Sequence, residues 1–434
     1  MDYNLPRLYK DYGEYSNYRN FPLDIDGLKP VERRVLLSAY KIAKTKFVKS
    51  RQVDAYTIGH YHPHGECYGT IVQLVRQGFL IGQGNFGTNV GVEPIGAAAP
   101  RYTECKLNEK TLEMAFKYIN YSEWIDSELS DKEVLFLPTM YPFCLMGKDY
   151  TQGIGFGFKT YIPCYDPRDL QQRLMWLLGI RKRKPIIAPL CDCDIIASSE
   201  EVESLLTTGK AKLPVQGVII EDPKSNTVTL KSWPPGKKFE SLLKKFSKEL
   251  SDGLIGFTDV SVIETEIKFQ VIRERNRDKI YTEFVEALKE AIKGQISFEI
   301  ILADLNQKVI TKSVDNLLKD TFQMYASMNE KMLIEEIRRE QQIIDEFKML
   351  ELIRPILNEL VSKNVSIEKA IPEIEKRTGV SAENVSYLLG KYRISKLFTL
   401  DTDTTEINNK IKNLNHNLKN LNDFVLGHYN DFTW

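Results

Sequence analysis

Apolar residues fall in steps of four and three at Ile407, Ile411, Leu414, Leu418, Leu421 and Val425. That is the a/d seam of a coiled coil. Upstream, residues 309–354 carry Leu318, Phe322, Tyr325, Met332, Ile343, Phe347 and Leu350 near the same spacing and read as one long helix. Shorter helical patterns at 367–376, 382–389 and 392–397 lie between the two. An ordinary helical bundle fits this periodicity too. Near the other end, Pro30 suits a first helical turn, and Val31, Val35 and Leu36 follow on one face. A second stripe, Ile71, Leu74, Val75 and Phe79, comes after a Pro/Gly turn at 59–66, which gives a helix-turn-helix layout. Residues 107–135 read as helical and polar. From about 161 to 305 the pattern becomes α/β. Residues 215–220 and 227–230 form a hairpin about 223–226, and a further strand region covers 260–272. The predicted fold class is α+β and multidomain.

Composition narrows this little. The 434 residues suggest two to three domains, and 42% hydrophobic with 27% charged residues describes an ordinary folded chain. Lys+Arg and Asp+Glu are both 59, so any affinity for a polyanion must come from local clustering. No apolar run approaches the roughly 20 residues a membrane helix needs. The first residues lack the layout of a signal peptide, so a cytoplasmic location is expected. Six scattered cysteines, Cys67, Cys105, Cys144, Cys164, Cys191 and Cys193, are expected as free thiols.

The candidate chemistry centres on residues 83–104, QGNFGTNVGVEPIGAAAPRYTE. This Gly/Ala-rich loop has too little bulk to fill a core, and it ends on Arg101-Tyr102. A tyrosine hydroxyl can be a covalent nucleophile, but at a pKa of ~10 it needs cationic help. Arg101 can supply that help and can stabilise charge on a phosphate under attack. Lys29, Arg33 and Arg34 gather at one helix start. His60, His62 and His64 share one turn, with no matching Cys or acidic ligand for zinc, and phosphate contact suits them better. Gly153-Ile154-Gly155 permits close backbone approach, or is simply a tight turn. Asp192/Asp194 and Asp401/Asp403 lack the companion Glu of a magnesium site, so no metal site is assigned.

DGLKPVERR (26–34), YHPHGE (61–66), QGNFG (83–87) and RYTE (101–104) stand in one order. In that order they resemble the breakage-reunion subunit of type IIA DNA topoisomerases, the gyrase A and topoisomerase IV C family. In length the chain is closest to a phage medium subunit. Glu32 stands where bacterial members usually carry His, and the stretch from Glu66 to Gln83 is shorter than theirs. The similarity is strong over about 17–160, loose through the middle and architectural at the end.

The resemblance implies an N-terminal arm (1–20), a winged-helix breakage-reunion domain (21–160) and a tower domain (161–308). A coiled-coil arm with a C-gate follows (309–434), its globule at about 361–400. It makes Tyr102 the residue that forms a 5′-phosphotyrosyl link, with Arg101 as transition-state stabiliser. Arg19, Lys29, Arg33, Arg34, His62, His64, Gln83 and Asn85 become DNA contacts, and Ile154 the wedge between base pairs. The implied partners are double-stranded DNA, a second copy through the C-gate, and an ATPase/TOPRIM subunit that binds Mg²⁺ and ATP in place of this chain. The location would be a bacterial host cytoplasm if the chain is phage-encoded. The DNA-wrapping propeller of gyrase A is expected to be absent, so relaxation and decatenation are expected rather than supercoiling. The alternative is a non-catalytic dimeric winged-helix DNA-binding protein.

Overall fold

The computed structural model describes residues 5–129, 131–392, 397 and 400–434. It divides into two compact units, Met1–Tyr325 with Asp431–Trp434, and Ala326–Asn430.

In the first unit the central element is α2 (Pro30–Ile42), which follows α1 (Leu5–Asn20). Pro30 opens α2, and the Glu32 carboxylate turns back to accept the Lys29 N–H at 2.9 Å. This satisfies one of the amide groups a helix start leaves unpaired. Val35, Leu36, Leu37 and Ala39 are buried, and so are Arg33, Arg34 and Ser38 on the other side, because α2 is covered all round. It packs against α3 (Ser50–His60) and α4 (Tyr68–Arg76). The α4 stripe matches the expectation: Ile71 and Leu74 are fully buried, and Phe79 lies just beyond the helix end. Strands β1 (Val48–Lys49), β2 (Leu80–Gln83) and β3 (Glu104–Leu107) form an antiparallel sheet with β3 in the middle.

The helical expectation for 107–135 is overturned in part. The helix covers only Glu109–Phe116, and a hairpin follows in which Trp124–Asp126 pairs with Lys132–Val134. The stretch reads as polar, yet Glu133 is buried against Arg34. That partner is distant in sequence, so no local pattern reveals it.

The α/β part contains two antiparallel sheets. In one, Thr151–Ile154, Lys159–Ile162, Lys293–Glu299, Lys210–Gln216 and Asp194–Ile195 lie side by side in that order. In the other the order is Ile219–Asp222, Thr227–Leu230, Ile267–Val271, Ile255–Asp259. The hairpin about 223–226 is present, with Asn226 at φ 54°, but only from Ile219 onward. Residues 210–216 join the other sheet, and the chain changes sheets at Gly217, where a Cβ would meet the Ser232 carbonyl at 2.5 Å. The fully buried Arg173 pairs with Glu203 and Asp315, each at 2.8 Å, and so ties Pro167–Leu177, Ser199–Thr208 and the start of Val314–Ser362 together.

In the second unit, Leu350, Ile353 and Leu357 of the helix Val314–Ser362 share a core with Ile374, Val385 and Leu388. The latter three come from the helices Ile367–Thr378 and Ala382–Lys391. The expected 392–397 helix lies mostly outside the described residues. Leu318, Phe322, Tyr325 and Leu350 are buried as the spacing predicts, but midway the pattern shifts by one residue, with Leu333 and Ile344 buried rather than Met332 and Ile343. The last helix is two, Thr405–Lys419 and Leu421–Asp431, broken at Asn420. Lys410 pairs with Glu340 while Thr402 meets Glu351, so this segment runs antiparallel to the long helix. All six cysteines are free thiols, and only Cys191 is not buried. No helix among the described residues is long and apolar enough to cross a membrane.

Candidate functional site

Residues 84–103 form a loop closed at its base by β2 and β3, where Gln83 faces Glu104 across the pair. Gly84 and Gly87 sit at φ 103° and 74°, where a side chain would be strained. A Cβ on Gly87 would also lie 2.3 Å from the Ile95 carbonyl. Asn85 organises the first turn, its Oδ1 accepting from Gly87 N–H at 2.7 Å and its carbonyl from Ala98 N–H at 2.9 Å. The last turn is seated on the start of α3. The Ser50 and Arg51 amides donate to the carbonyls of Thr103 (2.9 Å) and Pro100 (3.2 Å). Tyr68 from α4 donates to the Ala98 carbonyl at 2.5 Å, and its hydroxyl lies 3.0 Å from Thr103 Oγ1. Between these anchors Tyr102 is 64% exposed, and the Arg101 guanidinium stands 4.5 Å from the centre of its ring. The site thus presents one phenol with a cation on its face, held from below by the buried Ser50 and Thr103 and the half-buried Tyr68. Sequence reading missed the supports Ser50, Arg51 and Tyr68, because they approach the loop from two other elements.

The basic cluster divides by burial. Arg33 is inside the fold, its Nε and Nη2 donating to Asp26 at 2.7 and 3.0 Å and Nη2 also to the Leu28 carbonyl. Arg34 is held by both oxygens of Glu133 at 2.8 Å and by Glu128 at 3.0 Å. It also reaches His62 Nδ1 at 3.2 Å. A guanidinium only donates, so Nδ1 accepts and Nε2 of His62 carries the hydrogen. Burial, and then Arg34 and His64, depress the His62 pKa to about 4, so this imidazole is neutral at pH 7. His64 Nε2 lies 2.9 Å from both Tyr15 Oη and Glu128 Oε2. Glu32 is buried as the helix cap, and desolvation raises its pKa.

A second feature is the hairpin tip at 154–159. Ile154 is 73% exposed at the end of Thr151–Ile154. The Lys29 ammonium donates to the neighbouring Gln152 carbonyl at 2.6 Å. Asn17 of α1 clamps the tip, accepting from Phe156 N–H at 2.6 Å and donating to its carbonyl at 3.3 Å. Arg19 is half-buried at the end of α1, and Gln83 and Asn85 are exposed. Among the described residues no three His, Cys, Asp or Glu side chains gather as a metal site.

These features define a mixed α+β protein that presents a single phenol under a guanidinium on a closed loop. The chain belongs to the family of DNA gyrase and topoisomerase IV A subunits, whose sequence model it matches over residues 19–430. It is 27% identical to a DNA gyrase A subunit of Mycolicibacterium smegmatis over 64% of this chain and 35% of that protein. It is 31% identical to the DNA gyrase A subunit of Haemophilus influenzae over 59% and 32%. It is 26% identical to the DNA topoisomerase 4 A subunit of Synechocystis sp. over 84% and 43%. The chain therefore spans about a third of the length of the first curated relatives it matches.

Proposed function

We propose that this chain is the DNA-cleaving and rejoining subunit of a type IIA topoisomerase. The observation that carries the reading is Tyr102, exposed under Arg101 at the end of a loop fastened to α3, α4 and β3. The tyrosine oxygen attacks a backbone phosphorus, and the bond from phosphorus to the 3′ oxygen breaks. The 3′ hydroxyl leaves with a proton, and a 5′-phosphotyrosyl ester remains. One phosphoester replaces another, so the reverse attack reseals the strand without ATP. Arg101 neutralises charge building on the non-bridging oxygens. Two chains in a dimer give two tyrosines and a double-strand break.

The winged-helix reading suits α2, α3, α4 and the β1–β3–β2 sheet, and the coiled-coil arm suits the antiparallel long helices. The proposed boundaries remain 1–20, 21–160, 161–308 and 309–434. Lys29, Arg19, His64 and the N–H of His62 form the phosphate surface, with Gln83 and Asn85 beside it. Arg33 and Arg34 act from within, holding α2 and His62 in place. Ile154 is the wedge, since an exposed apolar tip beside a lysine is the arrangement that unstacks a base step at a cost of a few kcal/mol. Mg²⁺ and ATP are assigned to an ATPase/TOPRIM partner.

The test mixes chain, partner, Mg²⁺ and plasmid and stops the reaction with detergent. Protein is expected covalently on 5′ ends, and Tyr102→Phe is expected to abolish it while DNA binding persists. Adduct formation by that variant would overturn the assignment. DNA binding with no adduct in the native chain would favour a non-catalytic DNA-binding dimer.

A further inference from the structure

The loop that carries Tyr102 is fastened at a third place. Its tip is closed by Thr88 and Ile95, which exchange backbone hydrogen bonds at 2.9 and 3.1 Å. Beyond that closure the chain reaches the edge strand Ile255–Asp259 of the four-stranded sheet. Val92 N–H donates to Asp259 Oδ2 at 2.8 Å, and Gly91 N–H donates to Thr265 Oγ1 at 3.2 Å. The carboxylate is aimed by its own turn, because Asp259 Oδ1 accepts from Ser261 N–H at 3.0 Å. Val92 also packs on the apolar core of that sheet. Gly91 has φ 81°, and a Cβ there would stand 2.8 Å from Asp259 Oδ2 and 3.1 Å from Ser261 Cβ. Only glycine allows this approach.

We infer that Asp259 is a positioning residue for the Tyr102 nucleophile, clipping the tip of its loop to the sheet through Gly91 and Val92; this rests on the reading of Tyr102 above. The loop is rich in Gly and Ala and has few side chains with which to order itself. Its base is fixed by β2 and β3, its last turn by α3 and α4, and its rising limb by Arg76 of α4, which donates to the Phe86 carbonyl at 3.0 Å and to Asn89 Oδ1 at 2.9 Å, so the clip acts on the tip beyond Asn89. In-line attack is sensitive to placement, and a displacement of about 1 Å can cost about 10²-fold in rate. Asp259 touches neither the phenol nor the scissile phosphate in this proposal. It acts on the backbone of the loop that carries Tyr102.

The experiment uses the full chain with its ATPase/TOPRIM partner, Mg²⁺ and plasmid, and compares Asp259→Ala, Asp259→Asn and Gly91→Ala. Three quantities are read: covalent adduct rate, DNA affinity, and hydrogen exchange at residues 88–95. Asp259→Ala and Gly91→Ala should speed exchange at 91–92 and lower the adduct rate about 10- to 100-fold, with DNA affinity unchanged. Asp259→Asn should lie closer to the native chain, because its carboxamide oxygen still accepts from Val92. Gly91→Ala separates geometry from charge, since it leaves Asp259 in place. Unchanged exchange in both disruptive variants would show that the clip does not exist in solution. Faster exchange with a native adduct rate would show that the clip does not position the nucleophile. If the native chain protects 91–92 yet forms no adduct, the nucleophile reading fails and takes this role of Asp259 with it.

Discussion

At the residue scale, Arg101 and Arg34 show how burial assigns different work to the same side chain. Arg101 stands exposed over a phenol, whereas Arg34 is enclosed by two glutamates and a histidine. Arg101→Ala should therefore lower the DNA-cleavage rate by roughly 10², the usual scale for one lost transition-state donor. A weaker affinity at the native cleavage rate would make Arg101 a plain phosphate clamp. His62 gives a pH prediction. Its folded pKa lies near 4, pushed down first by burial and then by Arg34, His64 and Arg19. An unfolded histidine takes up its proton near pH ~6.5, where the folded one does not. The unfolded state thus binds more protons as pH falls from about 6.5 towards 4, and stability is lost over that window. In His62→Gln, the drop in Tm between pH 7 and pH 5 should be smaller than in the native chain. An equal drop would mean that other groups carry the slope.

At the scale of elements, periodicity revealed the helices and burial explains where it misled. The α2 pattern is legible because Pro30 and Glu32 form a recognisable start. The 124–134 hairpin is not, because Glu133 is drawn inward by Arg34, about a hundred positions upstream. The long helix carries a comparable hidden charge. Glu346 is 2% exposed and accepts from Lys391 Nζ at 2.7 Å and from the hydroxyls of Tyr387 and Tyr392 at 3.1 Å each. Lys391→Met should destabilise the second unit by about 1–3 kcal/mol, since it leaves a buried carboxylate short of its cation. Urea melts of the two proteins would measure this, and an unchanged midpoint would show that the tyrosines alone satisfy Glu346.

At the scale of the molecule, the numbers of Lys+Arg and Asp+Glu balance, so the proposed DNA affinity must come from placement. With Arg33 and Arg34 internal, the full cations on the proposed DNA surface are Arg19, Lys29 and Arg101, about six in the proposed dimer. The slope of log K against log salt should then be about −5, a loss of about 10³ between 50 and 200 mM. A slope nearer −9 would require the two inner arginines to reach phosphates after all. A filter-binding titration over that range separates the two cases.

What the chain determines by itself is local: helix stripes, the Gly-broken loop, the Arg101-Tyr102 pair at its end, and the ordered motifs that mark the family. Each is written in neighbouring residues, where propensity, periodicity and turn chemistry act. The tertiary structure alone decided which charges face outward. Arg33 and Lys29 are four residues apart on the same helix start, yet one is closed in by Asp26 and the other lies beside the Ile154 tip. It alone also brought Ser50, Tyr68 and Asp259 to the loop of Tyr102. Burial and long-range hydrogen bonds depend on elements far apart in the chain, and no local pattern encodes them.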